Sequence, residues 1–417
     1  MPISLNRQIF WGVAIGITGG IFLNLQGTNS PFAHWLLYGC EITGGIFVDL
    51  LKMILIPLIF TSVSVGISNL GTHTQRNAIW KTTLIFFLST TAIASLLGLI
   101  VVNVFKPGVG LTTVLFQESL THFKYENVTL AQFIKAFFSE FFMNPLKAMA
   151  EGKVLPTLFF AILLGIALLA GAERGKNCQR LLHEISEMIM LILGWIMRLA
   201  PLGIMALLLK LIATQDIALL SALSRFVLVV MGATLFHGLV VLPLILYVFT
   251  RIGPVTFLKG ARESLITAFS TSSSSATIPV TLRCVEKNLH VKSEIAGFVV
   301  PLGATVNMDG TALYEAVAAI FVANLSGIHL NIVQQIIVFL TAILASIGAP
   351  GIPSAGMVTM MMVLQAVGLP AQAVAILLPI DRFLDTVRTA VNVEGDMIGS
   401  LIVQKLSENS HSTFPAK

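Results

Sequence analysis

Six polar side chains stand in one apolar stretch near the end of the chain: Asp381, Asp385, Arg388, Thr389, Asn392 and Asp396. At about 100° per residue in a helix, all six fall within an arc of about 100°. They form one polar stripe that must face protein. An ionisable group inside an apolar helix is costly, so it is a binding-site candidate by default, and its partner has to be named. Asp385 and Arg388 lie one turn apart and are natural partners; Arg388 is read as the only cation on the stripe. Glu394 falls on the opposite face and is set aside. Such a stripe can hold small charged ligands, or it can be an ion-pair network that only ties helices together.

A second polar interruption, Gly303 to Thr311, sits in the middle of the apolar stretch 298–325. Asn307, Asp309 and Gly310 disfavour a continuous helix there. An unwound turn frees backbone carbonyls, and these with a carboxylate make an oxygen-only cage of the kind Na⁺ prefers. No Cys/His cluster argues for a transition metal. Four aspartates, Asp309, Asp381, Asp385 and Asp396, face the single Arg388, and a low-dielectric site cannot hold that excess bare. Cations or protons must therefore bind with the ligand. Glu315, one turn beyond Thr311 in an otherwise apolar stretch, is a candidate proton carrier, because a charged carboxylate is costly to keep there.

The serine run 270–275 could suggest a nucleophile, yet no Gly-x-Ser-x-Gly elbow is present and no histidine is expected near these segments to serve as its base, the nearest, His290, lying in a basic connection. The hydroxyls are better read as hydrogen-bond donors to a ligand carboxylate, aided by a half-helix N-terminus. The reading is that of a non-enzyme without a cofactor.

The elements that must position these residues are membrane spans. The chain of 417 residues is 56% hydrophobic and 11% charged, against about a quarter charged in soluble chains. Several stretches exceed the ~20 apolar residues that cross a bilayer core. Long spans are expected at 8–27, 42–70, 79–105, 154–172, 184–212 and 217–250, the first retained and not a cleaved signal. The segment 108–127 reads as an extracytoplasmic loop and 130–149 as an interfacial helix. Basic residues gather in alternate connections, including Arg174, Lys176, Arg180, Arg251, Lys259, Arg262, Arg283, Lys287 and Lys292. This asymmetry places both termini in the cytoplasm and speaks against nucleic acid. Cys40, Cys178 and Cys284 are scattered and support neither a disulfide framework nor a metal cluster.

Beyond Arg262 the apolar stretches shorten and are broken by Ser, Thr, Gly and Pro at 268–281 and again at 344–357. Lipid cannot satisfy irregular backbone, so both turns must sit inside protein or beside water. Each is followed by a span, 298–325 and 371–403, giving a hairpin-then-helix unit twice, as in transporters built from inverted repeats.

At these residues the chain resembles the dicarboxylate/amino acid:cation symporter family, which includes archaeal aspartate transporters, bacterial glutamate symporters and animal excitatory amino acid transporters. The matching strings are 271–280, 307–315, 348–356 and 381–396. The resemblance implies an all-α polytopic homotrimer with eight spans and two re-entrant hairpins, working as an elevator. Residues 1–250 would be mainly scaffold and trimerisation spans, except that the span 79–105 joins the transport domain. Residues 255–405 would form the transport core and 406–417 a cytoplasmic tail.

Carried over, Ser273, Ser274, Thr311, Ile352 and Gly356 would line the substrate. Asp385 would take its amine, Arg388 its distal carboxylate, and Asn392 its main-chain carboxylate, with Thr389 in support. One cation would use Gly303, Asn307, Asn392 and Asp396; a second Thr305, Ser346 and Ile347; a third Thr90, Thr91, Asn307 and Asp309. Phe87 stands where Na⁺-coupled relatives usually have tyrosine, and Ala349 replaces a more polar residue. Glu315 matches a proton-carrying glutamate of the animal members. Na⁺ and H⁺ therefore both stand as coupling ions.

The function expected is secondary active uptake of L-glutamate or L-aspartate, with membrane lipid as surroundings. A C4-dicarboxylate carrier, an anion channel and an intramembrane hydrolase are the alternatives. Short connections suit a bacterial inner membrane, whereas Asn127-Val-Thr129 would be a glycosylation sequon in a eukaryotic one.

Overall fold

The computed structural model describes residues 5–28, 30–68, 77–110, 142–214, 217–347, 349, 351, 353–369 and 373–412, and every regular element among them is helical. The first third comprises α1 (Leu5–Gln26), α2 (Pro31–Ser68) and α3 (Asn77–Phe105). The short α4 (Pro145–Ala150) follows, then α5 (Val154–Gly171), α6 (Lys176–Arg198) and α7 (Ala200–Thr214). Next come α8 (Ile217–Phe236), a π turn at His237–Val241 and α9 (Leu242–Thr250). The last third holds α10 (Pro254–Thr271), α11 (Ser274–Arg283), α12 (Ser293–Val306), α13 (Asp309–Leu325), α14 (Ile332–Ile347), α15 (Ala355–Ala366) and α16 (Val374–Ser412).

Among the described residues five helical stretches are long and apolar enough to cross a membrane, or six when α6 and α7 count as one bent span. The expected spans 8–27, 79–105, 154–172 and 217–250 coincide with helices within a few residues. Two expectations need correction. The span drawn at 42–70 starts at Pro31, and its 38 residues measure about 57 Å at about 1.5 Å per residue, well beyond a bilayer core. The span drawn at 184–212 is bent by 49° between α6 and α7. Pro201 lies at the bend and cannot donate the backbone hydrogen bond that a straight helix needs there. The interfacial helix expected over 130–149 is described only from 142 onward, where Asn144 caps α4 by accepting from the amides of Leu146 and Lys147 at 3.0 and 3.2 Å. The sequon at Asn127 lies outside the described residues.

The three interrupted stretches, 268–281, 303–311 and 344–357, all become breaks in helix. α10 and α11 pack against each other and reverse at Ser272, whose φ of 51° is left-handed, and at the extended Ser273. α14 and α15 form a second packed pair around 348–354, of which Ala349, Gly351, Pro353 and Ser354 are described. Between the two pairs, α12 ends and α13 begins across the non-helical Asn307 and Met308.

α16 is the hub of this half: α3, α8, α9, α10, α12 and α13 all pack on it. α13 is buried from Asp309 to Ala323, as befits a stretch that beyond its first turn is apolar save for Tyr314 and Glu315. Phe226 of α8 stacks on Phe321 of α13 at 4.5 Å between ring centroids. In the other half, α1 packs on α7, and α2 on α5, α6 and α7.

Candidate functional site

The polar stripe of α16 meets the first turn of α13 and the start of α15. Arg388, 1% exposed, lies over the Tyr314 ring at 4.0 Å. Its Nη2 donates to Asp381 Oδ1 at 2.7 Å and to Asp385 Oδ1 at 2.8 Å. Its Nε and Nη1 have no hydrogen-bond partner among the described residues. A buried guanidinium with one nitrogen engaged and two open suits a ligand carboxylate. Asp385 Oδ2 accepts from the Ser354 amide at 2.8 Å. Asn392 Oδ1 accepts from the Gly310 amide at 2.8 Å, and its Nδ2 reaches Thr311 Oγ1 at 3.4 Å. A Cβ on Gly356 would stand 3.2 Å from Thr311 Cγ2 and 3.5 Å from Arg388 Nη1 and Nη2, so only glycine leaves that edge of the guanidinium open. Thr311, Gly356, Asp385, Arg388 and Asn392 are thus brought together, and Thr389 is buried on the same helix.

The hairpin residues join this group through the second turn. Ser273 caps α11, accepting from the Ala276 amide at 3.2 Å, and donates its hydroxyl to the Gly351 carbonyl at 2.6 Å. The Ser275 amide donates to the same carbonyl at 3.0 Å. Ser274 is buried beside them. Ile352 lies outside the described residues.

On the other side of the α12–α13 break, the fully buried Asp309 accepts at Oδ1 from Thr91 at 2.8 Å and Thr90 at 3.2 Å. Thr90 also lies 3.5 Å from Asn307 Oδ1. Asn307 Nδ2 donates to Asp396 Oδ1 at 2.9 Å and to the Asn392 carbonyl at 3.0 Å. A Cβ on Gly303 would run into the Asp396 carboxylate and approach Phe87 Cζ at 3.0 Å. Thr90, Thr91, Gly303, Asn307, Asp309, Asn392 and Asp396 therefore form one connected patch rich in oxygen donors. Donors of this kind suit a hard cation.

The remaining expected ligands are more scattered. The Thr305 hydroxyl donates to the Leu302 carbonyl at 3.0 Å and that of Ser346 to the Ile343 carbonyl at 2.8 Å, so each serves its own helix. Thr305 and Ile347 line a cavity of about 470 Å³ with Ser275, Ala349 and Gly351, walled opposite by Ser62 of α2 and Met190 of α6. Glu315 is fully buried; Thr359 of α15 donates to its Oε1, while Oε2 has no hydrogen-bond partner among the described residues.

Three residues of this region were missed in the sequence. His237, in the π turn after α8, is fully buried with Nε2 3.0 Å from Asp309 Oδ2; the reading that no histidine lies near these segments is wrong. The rule that an ionisable group inside an apolar stretch marks a site would have found it. Arg382 is also buried, its Nη1 3.6 Å from Asp385 Oδ2, so Arg388 is not the only cation there. At about 100° per residue it falls about 20° beyond the edge of the stripe. Glu394, set aside as facing away, is 4% exposed, because α16 is covered on that side too. A Cβ on Gly238 of the π turn would stand 3.0 Å from Glu394 Oε2.

These groups also redistribute the charge. Around Arg388 two aspartates face two guanidinium groups, Asp381 and Asp385 against Arg382 and Arg388. Asp309 and Asp396 have no Lys or Arg ion pair among the described residues, and their surplus is the one that calls for cations or protons.

The profile of the sodium:dicarboxylate symporter family matches residues 5–406. The chain is similar to excitatory amino acid transporter 2 of Mus musculus, 35% identical over 99% of this chain and 80% of that protein. It is similar to excitatory amino acid transporter 3 of Homo sapiens, 35% identical over 95% and 84%. It is also similar to a putative sodium-dependent excitatory amino acid transporter, glt-4, of Caenorhabditis elegans, 34% identical over 95% and 88%. A match over nearly the whole chain, with all three helix breaks and the charged stripe inside it, establishes that the protein belongs to the sodium:dicarboxylate symporter family.

Proposed function

We propose that the protein takes up L-glutamate or L-aspartate across a cell membrane by secondary active symport with Na⁺, H⁺ or both. The observation that carries this reading is the Arg388 guanidinium, buried and charge-balanced yet with Nε and Nη1 free to receive a carboxylate. Asp385 takes the substrate amine and Asn392 the main-chain carboxylate. Thr311, Thr389, Gly356, Ser273, Ser274 and Ile352 line the pocket.

Cations bind at Asp309 with Thr90, Thr91 and Asn307, and at Asp396 with Gly303, Asn307 and Asn392; a further site uses Thr305, Ser346 and Ile347. Glu315 carries the proton when H⁺ is coupled. The relatives' names, excitatory amino acid transporters, support the substrate class.

At larger scale we infer eight spans, two re-entrant hairpins and a homotrimer. The transport unit of 255–405 moves with α3 and α8 against a scaffold of the other helices of 1–250. The contacts of α8 with α13 and α16 support counting α8 with the moving unit. The basic connections support cytoplasmic termini, and the short connections support a bacterial inner membrane.

A second reading, a C4-dicarboxylate carrier, is favoured by one observation. Asp385 already has the Arg382 guanidinium 3.6 Å away, so a substrate without an amine would not leave it unpaired.

Uptake of labelled aspartate into proteoliposomes, with Na⁺ and H⁺ gradients imposed separately, tests the proposal. Saturable uptake driven by at least one gradient is expected. The Glu315→Gln variant should lose the H⁺-driven part and keep substrate binding. Flux that grows without saturation would instead mean a channel.

A further inference from the structure

Asp385 is engaged from three directions. Arg388 Nη2 donates to Oδ1 at 2.8 Å, the Ser354 amide donates to Oδ2 at 2.8 Å, and Arg382 Nη1 stands 3.6 Å from Oδ2. Both oxygens are therefore held by the protein itself. Arg388 has a second carboxylate, Asp381, at 2.7 Å, so Asp385 is not needed to balance it alone. Arg382 sits one turn before Asp385 on α16 with its side chain only 11% exposed. An arginine that merely reached for the membrane surface would extend its charged end outward into water; this one turns inward to the carboxylate.

We propose that Arg382 determines amine selectivity: its guanidinium occupies Asp385 as a tethered counter-ion, which the ammonium of an amino acid must displace and an amine-free dicarboxylate leaves in place. The inference rests on the assignment of Asp385 to the substrate amine made above. A buried carboxylate left without a cation is strongly unfavourable. With Arg382 present, a four-carbon dicarboxylate lacking an amine leaves no such group. Without Arg382, the same ligand leaves Asp385 short of one cation, whereas an amino acid supplies its own. Selectivity thus arises from what happens when the wrong ligand binds, as much as from contacts to the right one. The site of the native chain accepts both acidic amino acids and C4-dicarboxylates, and the side chain at position 382 sets the ratio.

Calorimetric titration of the detergent-purified full chain with L-aspartate and with succinate, at one saturating Na⁺ concentration, reads this ratio. In Arg382→Met, which keeps the apolar stem, aspartate should bind about tenfold more tightly and succinate about tenfold more weakly, as expected when one member of a close charge pair is removed. Arg382→Lys should stay near the native ratio, since it restores the charge. Arg382→Gln is read in the same way if the methionine variant does not elute as the native protein does. Aspartate and succinate affinities that move together in Arg382→Met overturn the role of Arg382. If Asp385→Asn at the same time weakens aspartate binding, the assignment of the amine stands without it. Aspartate affinity unchanged in Asp385→Asn, or a native chain that binds neither ligand, overturns the assignment and the inference together.

Discussion

Asp396 is tied by hydrogen bonds to residues proposed above to hold the substrate. Its Oδ1 accepts from Asn307 Nδ2, which also binds the carbonyl of Asn392, and Asn392 in turn holds the amide of Gly310 and approaches Thr311. A cation settling on Asp396 would therefore act on the groups proposed to line the substrate pocket, and coupled affinities would change reciprocally. Asp396→Asn should weaken aspartate binding and flatten its Na⁺ dependence; equilibrium binding across a Na⁺ series checks this, and unchanged curves would remove Asp396 from the cation site. Arg388 permits a complementary test of the other half. Arg388→Thr should lose roughly 100-fold or more in aspartate affinity, about 3 kcal/mol, the scale of losing one partner of a buried charge pair. Serine binding should survive, since Asp385 and Asn392 remain, and competition between aspartate and serine on the purified variant measures it. The stripe carrying both residues was legible because six polar positions share one helical face. His237 was not legible as a partner of Asp309, because 72 residues separate them and no local spacing encodes a contact of that range.

The three helix breaks were read from the sequence because each places Gly, Pro, Ser or Asn where an apolar span should run on, and backbone at that depth needs partners. The bend between α6 and α7 was missed although Arg198 and Pro201 flank it, because the apolar runs on either side, 189–197 and 202–209, read together as one span. The start of α2 lies before the expected 42 because Pro31 at the first helical position begins the helix, which carries the charged Glu41 inside it. Among the breaks, the first hairpin turn offers the sharpest test. Ser273 caps α11 and also donates to Gly351 in the other pair. Ser273→Ala should destabilise the protein by about 1 kcal/mol through the lost cap, read as a lower thermal unfolding midpoint. A midpoint equal to the native one would mean that the cap adds nothing.

At the scale of the molecule, exposed apolar residues line α1 and α2, among them Phe10, Trp11, Phe22, Trp35 and Tyr38. A membrane protein presents such residues to lipid or to its own copies, and the homotrimer proposed above predicts a particle near three times the 44.9 kDa of one chain after detergent is subtracted. Light scattering on the purified protein decides it, and a monomeric mass would reject the trimer. The contact between the two hairpin turns carries a different consequence. Two hydrogen bonds, from Ser273 Oγ and the Ser275 amide, converge on the one carbonyl of Gly351. Swinging away either turn breaks both at once, and swinging away the second then costs nothing further at this point. The pair therefore resists the first opening but offers no protection against a double opening, which would short-circuit the ion gradient. Facing the two turns across the adjoining cavity are Ser62 to Ile67 of α2 and His183 to Met190 of α6, so these are the walls that would have to hold one turn closed if the other moved.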